Sequence, residues 1–279
     1  MTAPFGDRFD AVCPGDARRV DAAARPGRSL AGGVWTPAGL PGDVRAYLDA
    51  VVARLRDLLG PALVGVYPAG SVALDAYRPG RSDLDLVAVA DHPDPAPIAA
   101  ALSHDALPCP AAGLEFVLYD RATLAALTTE AGFTLNLNTG RALEPKAETD
   151  PGDGPAFWYP IDRDIVHQQS RTLTGPPFAT LTTRVPYDQL LPVVASSVAA
   201  QTGDNAVLNA CRALRYRALR SWTSKPAAGA WALGQVPLEH RPVIAAALES
   251  HGRDRSAGAT LDGRTFQAYV TATLTAAGA

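Results

Sequence analysis

Cysteine is scarce in this chain. The three present, Cys13, Cys109 and Cys211, stand far apart and lack C-x-x-C spacing. Neither a disulfide framework nor a zinc site is indicated. Long apolar runs are also missing, and none approaches the ~18–20 residues of a membrane-spanning helix. Charge of one sign is not in excess: 25 Lys and Arg face 28 Asp and Glu, a formal net charge of −3. That argues against a dedicated nucleic-acid binder working through a broad basic surface. Neither nucleic acid nor membrane is therefore expected as a partner. The opening Met-Thr-Ala-Pro-Phe-Gly-Asp has no basic start followed by an apolar core, so no secretory signal is expected and the expected compartment is the cytoplasm. The 24 Gly and 24 Pro follow no G-X-Y period, which excludes collagen. His92, His104, His167, His240 and His251 are scattered, none at ligand spacing from another His or a Cys, and read as surface or structural residues.

What is present is enough apolar material, 47% of 279 residues, for one large domain or two small ones. Residues 1–33 are rich in Ala, Gly, Arg and Asp and read as a loosely ordered extension. From Pro41, Val44, Tyr47, Leu48, Val51, Val52, Leu55, Leu58 and Leu59 recur at helical spacing, and Gly60-Pro61 ends that helix. Ala62–Tyr67, Leu84–Val89 and Leu114–Tyr119 read as strands, with a turn-rich segment from Pro68 to Ser82 and a helix over about 95–103. Phe133–Leu137 reads as a fourth strand at an edge. Pro151-Gly152-Asp153-Gly154-Pro155 reads as a linker. Helical stretches follow at about 161–170, 186–201, 204–222, 226–233, 237–251 and 261–276. The expected architecture is an α/β N-terminal domain over 34–150, a mixed sheet with flanking helices. An all-α helical bundle over 151–279 would follow it.

The chemistry concentrates between Gly70 and Val89. Side chains alternate along a strand, so Asp83 and Asp85 share a face. Two carboxylates with no cation between them in sequence repel one another, and a divalent ion between them resolves the conflict. Magnesium takes one or two carboxylates with phosphates and water. Gly70 permits close backbone approach, and Ser71 offers a hydroxyl and an N–H to a phosphate. A bare Asp-x-Asp is more often a solvated strand end. A strand, Gly-Ser, about ten residues and then Ser82-Asp83-Leu84-Asp85 opening a second strand is a far rarer combination.

Gly70-Ser71 followed by Ser82-Asp83-Leu84-Asp85 resembles the signature of the DNA-polymerase-β-type nucleotidyltransferases. Within that superfamily the chain is similar to the aminoglycoside adenylyltransferases of the streptomycin/spectinomycin type. Leu114-Glu115-Phe116 stands where that family has its catalytic glutamate. Asn205, Val207, Leu208 and Arg212 match its Asn-x-Val-Leu and following Arg. Ser224-Lys225 precedes Ala230-Trp231-Ala232, and Pro237 and His240-Arg241-Pro242-Val243 continue the likeness across roughly residues 45–275.

The resemblance implies transfer of AMP from ATP to a hydroxyl, with pyrophosphate leaving. Asp83 and Asp85 would hold two magnesium ions and Glu115 would act as base. Gly70, Ser71, Ser82, Asn205, Arg212 and Lys225 would bind the nucleotide, Arg212 and Lys225 by contacts to the triphosphate. The implied acceptor is small, hydroxylated and cationic, an aminoglycoside or aminocyclitol, and the implied enzyme is a monomer. Residues 133–143 and 193–201 contain no tryptophan, whereas the family places drug-binding tryptophans in these regions. The family's acidic residue before the Asn-Val-Leu helix falls near Thr202, with Asp204 two positions on. Trp158-Tyr159 is the aromatic pair placed to touch an acceptor. A sugar metabolite or a protein side chain remains an alternative acceptor, and a non-catalytic nucleotide-binding regulator an alternative role. Both aspartates and the candidate base are retained, which argues against the regulator.

Overall fold

The computed structural model describes residues 39–152, 156–169, 171–253 and 261–276. The expected extension over 1–33 and Cys13 lie outside them. So do 153–155, within the expected linker. Helix α1, Gly42–Leu59, buries the apolar stripe Val44, Tyr47, Leu48, Val51, Val52 and Leu55. It ends at Gly60, whose φ of +52° suits glycine.

Five strands follow in chain order across one sheet: β1 Leu63–Pro68, β2 Leu84–Ala90, β3 Leu114–Asp120, β4 Leu135–Thr139 and β5 Lys146–Glu148. Only β2 and β3 run parallel. A parallel pair needs a crossover, and α3, Pro95–Ala101, lies in it, capped by the Asp94 carboxylate accepting from the Ala96 N–H at 3.1 Å. Two short helices also lie in this half, α2 at Gly70–Ala73 inside the turn-rich segment and α4 at Arg121–Ala126.

The expected edge position of the fourth strand is corrected by the pairing. β4 is hydrogen-bonded on both sides, and β5 takes the edge beside it. Lys146-Ala147-Glu148 is three residues without an apolar run, so no periodicity announces it.

One sheet face is apolar throughout. Val66, Leu84, Leu86, Ala88, Leu114, Phe116, Leu118, Leu135 and Leu137 pack there with α1 and Ile98 of α3. The other face is divided. Tyr67, Val87, Val89 and Tyr119 pack with Phe133, Val166 and Phe178. The starts of β2 and β3 on this side carry Asp85 and Glu115 instead.

The helical region comprises α5 Trp158–Gln169, α6 Tyr187–Val198, α7 Gly203–Leu219, α8 Lys225–Ala232, α9 Arg241–His251 and α10 Arg264–Thr275. Helix α7 lies at its centre, burying Val207, Leu208, Cys211, Leu214 and Tyr216. The Asp164 carboxylate of α5 is fully buried. It accepts from Arg184 Nε at 2.6 Å, Trp222 Nε1 at 2.7 Å and Gln168 Nε2 at 3.1 Å. Sheet and helices share core: Ala73 of α2 belongs to the helical cluster and Leu74 packs on it. Arg171 also donates to the Val72 carbonyl at 3.1 Å and pairs with Asp75.

Candidate active site

A cavity of about 520 Å³ opens between the divided sheet face and the helices. Gly70, Ser71, Ser82, Asp83, Asp85, Glu115, Asn205, Arg212 and Lys225 all line it. The sheet half is positioned by register. Asp85 and Glu115 are direct partners across the parallel β2–β3 pair, and Glu115 opposes Asn138 across β3–β4. Like charges facing each other across strands are destabilising unless something intervenes.

Gly70 has φ +46°, and a Cβ there would lie 1.8 Å from Asp85 Oδ2. Glycine is therefore required twice, by conformation and by space. The next backbone N–H, that of Ser71, donates to the Asp85 carboxylate. Ser71 Oγ is buried without a hydrogen-bond partner. Ser82 Oγ accepts from the Arg78 N–H at 3.0 Å and closes the turn ahead of Asp83.

The helical half supplies cations. Asn205, Asn209 and Arg212 lie four and seven positions along one face of α7. Arg212 Nη1 donates to Asn209 Oδ1 at 3.2 Å, and its guanidinium lies 5.5 Å from the Trp222 ring centroid. Its Nε and Nη2 have no hydrogen-bond partner. Lys225 is the first residue of α8, just after the Ser224 N-cap, and its Nζ donates to Asn205 Oδ1 at 3.1 Å.

Burial pushes the carboxyl groups of Asp85 and Glu115 upward, and the neighbouring carboxylates add to this. Glu115 reaches about 7, with Asp83 and Asp162 as its repelling neighbours and Lys225 opposing them. Burial likewise lifts Asp162 of α5 to about 7, helped by Asp85 and opposed by Arg212 and Lys225. Lys225 and Arg212 are pushed down, each first by burial. Asp83, Asp85, Glu115 and Asp162 thus crowd around Arg212 and Lys225, while Arg81 and Lys146 in the wall are paired with Asp204 and Glu148; added positive charge relieves the carboxylate crowding.

Among the described residues no group of three His, Cys, Asp or Glu is arranged to hold a metal ion alone. The donor set is nonetheless hard oxygen. Two carboxylates that need phosphate or water to complete coordination would suit magnesium.

Asp162 is a site residue that sequence reasoning missed. In sequence it is one acid in an amphipathic helix, and only the fold turns it toward Asp85. Arg81, Asn136, Asn138, Lys146 and Gln201 were missed as well, and they line the cavity together with Asp204, noted in the sequence only as the acid near the family's acidic position. Trp158 and Tyr159 line it too, and Tyr159 Oη accepts from Asn136 Nδ2 at 2.8 Å. Of the histidines, His251 lies in the wall. His240 is buried beside Phe266 and Tyr269. Cys109 and Cys211 are buried and unbridged.

Residues 180–275 match the family model of the aminoglycoside adenylyltransferase C-terminal domain. That stretch contains α6 to α10, and with them Asn205, Arg212 and Lys225. No curated protein matches the chain. Among solved structures the fold is similar to a spectinomycin adenyltransferase, AAD(9), from Enterococcus faecialis, crystallised with ATP and spectinomycin. The two chains are 18% identical with a TM-score of 0.60, over 82% of this chain and 98% of that one. No described helix is long and apolar enough to cross a membrane.

Proposed function

We propose that this chain, a nucleotidyltransferase with the C-terminal domain of the aminoglycoside adenylyltransferases, moves AMP from ATP to a hydroxyl of an aminoglycoside- or aminocyclitol-like acceptor. The observation that carries this reading is the single cavity in which Asp83, Asp85 and Glu115 face Arg212 and Lys225. The acceptor oxygen attacks the α-phosphorus, the bond to the bridging oxygen of the β-phosphate breaks, and pyrophosphate leaves with that electron pair. The Glu115 carboxylate takes the acceptor's proton. Lys225 and Arg212 neutralise the triphosphate and the departing pyrophosphate from the opposite wall. Asn205 keeps the Lys225 ammonium aimed inward. Ser71 Oγ offers a free hydroxyl to a phosphate oxygen. Asp83 and Asp85 would hold magnesium, which when bound supplies charge stabilisation to the phosphoryl oxygens.

The acceptor half of the reading rests on charge and wall chemistry. Asp162 and Glu115 favour a cationic acceptor. Asn136, Asn138, Trp158 and Tyr159 offer hydrogen bonds and ring faces to a polyol. The test replaces each aspartate in turn. Asp83→Asn and Asp85→Asn are expected to keep the fold and lose transfer by orders of magnitude, because a metal site works as a unit. Near-wild-type turnover of either variant at saturating magnesium contradicts the assignment.

A further inference from the structure

The loop between α2 and β2 delivers Asp83 to the cavity, and two of its arginines leave the sheet side altogether. Arg81 Nη2 donates to Asp204 Oδ2 at 2.5 Å, in the first turn of α7. Arg81 Nε donates to His251 Nδ1 at 3.1 Å, and Nη1 donates to the carbonyls of Ser250 and Arg253, both at 3.3 Å. Arg78 Nη2 donates to the Gly252 carbonyl at 2.5 Å. Ser250 Oγ donates to the same Asp204 oxygen at 3.1 Å. The last carbonyls of a helix lack intrahelical partners and carry negative partial charge, so the end of α9 is a natural seat for a guanidinium. The Arg81 and Asp204 side chains are only 9% and 13% exposed.

These contacts commit Arg81. Although it lines the cavity, each of its three nitrogens already donates to the helical region. Serving a phosphate would mean breaking that set. The arrangement also reaches the cations. Asp204, which Arg81 grips, is followed by Asn205, which holds Lys225 Nζ. One turn of α7 therefore receives the loop that ends in Asp83 and steadies the lysine that faces Asp83 and Asp85.

We propose that Arg81 is a positioning residue for transfer, a clasp that fixes the separation between the aspartates of the sheet and the cations of the helices. This role presupposes AMP transfer in the cavity. A shift of about 1 Å in reacting groups can lower turnover by about 10²-fold, so kcat is the sensitive quantity and ATP affinity is not.

The test measures kcat, KM for ATP and backbone hydrogen exchange of residues 78–85 in wild type, Arg81→Ala, Arg81→Lys and Asp204→Asn. Arg81→Ala is expected to lower kcat by about 10²-fold with little change in KM, and to speed exchange in the loop while α7 stays protected. Lysine is expected not to rescue, because one ammonium cannot reach acceptors on two helices as a planar fork does. Asp204→Asn should move kcat in the same direction, and it serves as the decisive variant if Arg81→Ala does not fold. A raised KM with kcat intact would make Arg81 a phosphate contact and overturn the clasp, as would full activity in Arg81→Lys or in Asp204→Asn. If wild type transfers AMP to no acceptor, the transfer reading fails on its own. The exchange data then decide separately, since unchanged protection of 78–85 in Arg81→Ala refutes the clasp.

Discussion

At the scale of single residues, the site is built from groups whose positions are costly without a task. Glu115 stands second in a strand, is followed by the run Phe116-Val117-Leu118-Tyr119, and lies directly across from Asp85. Glu115→Gln keeps its size and hydrogen bonding but cannot take a proton near neutral pH. Single-turnover transfer is expected to fall by about 10²–10⁴-fold, with calorimetric ATP affinity little altered. Loss of both together would instead make Glu115 a metal ligand. At Gly70 an added methyl meets the Asp85 carboxylate at a positive φ. Gly70→Ala should therefore displace Asp85 and cut turnover by about 10²-fold, while a far-ultraviolet spectrum stays that of the wild type.

His251 supplies the pH dependence. Burial holds its imidazole down at about 4, with Arg81, Lys225 and Arg78 adding to the effect and Asp204 opposing it. Above pH ~6.5, its ordinary pKa, the ring is neutral in both folded and unfolded chains. Below that the unfolded chain takes up a proton that the folded chain refuses. This contribution to stability falls as pH drops toward about 4, then levels off. Melting temperatures across this range should fall less steeply in His251→Gln than in wild type, and parallel slopes would contradict the assignment.

At the scale of elements, α5 carries the two halves of the argument on one helix. Its Asp162 faces the cavity, while Asp164 ties Arg184 and Trp222 into the helical core. Asp164→Ala leaves the Trp222 N–H and a partly buried guanidinium without their acceptor. It should cost about 3 kcal/mol in denaturant unfolding. Long elements were legible because their apolar residues obey one period. Helix α1 was readable from Val44 to Leu59, and the six C-terminal helices fall within a few residues of their expected spans. Three short elements were not. Helix α2 is four residues inside a turn-rich stretch, and α4 is six residues beginning at Arg121. Strand β5 exists because β4 offers it a partner, not because Lys146-Ala147-Glu148 has a pattern. With β5 unseen, β4 read as an edge.

At the scale of the whole molecule, the site was legible where chemistry follows the chain and obscure where it crosses it. Gly70, Ser71, Ser82, Asp83 and Asp85 form one local run, and Glu115, Asn205, Arg212 and Lys225 came through likeness. All nine line one cavity. Asp162 and Arg81 escaped notice because each is an ordinary charged residue until the fold supplies its partner. Since Asp83, Asp85 and Glu115 come from the sheet side and Arg212 and Lys225 from the helices, ATP should hold the halves together. With magnesium it is expected to raise the melting temperature through the linkage of binding to folding, and Lys225→Ala should blunt the rise. A full rise in Lys225→Ala would remove that lysine from the nucleotide site.

The most direct measurement is acceptor-dependent pyrophosphate release from ATP and magnesium across a panel of aminoglycosides, aminocyclitols and other polyols, with the products weighed by mass spectrometry. The expected result is stoichiometric pyrophosphate and an AMP adduct with at least one cationic acceptor, both abolished by Asp85→Asn. Release of inorganic phosphate with a phosphorylated acceptor would contradict the account, as would tight ATP binding without pyrophosphate release on any acceptor.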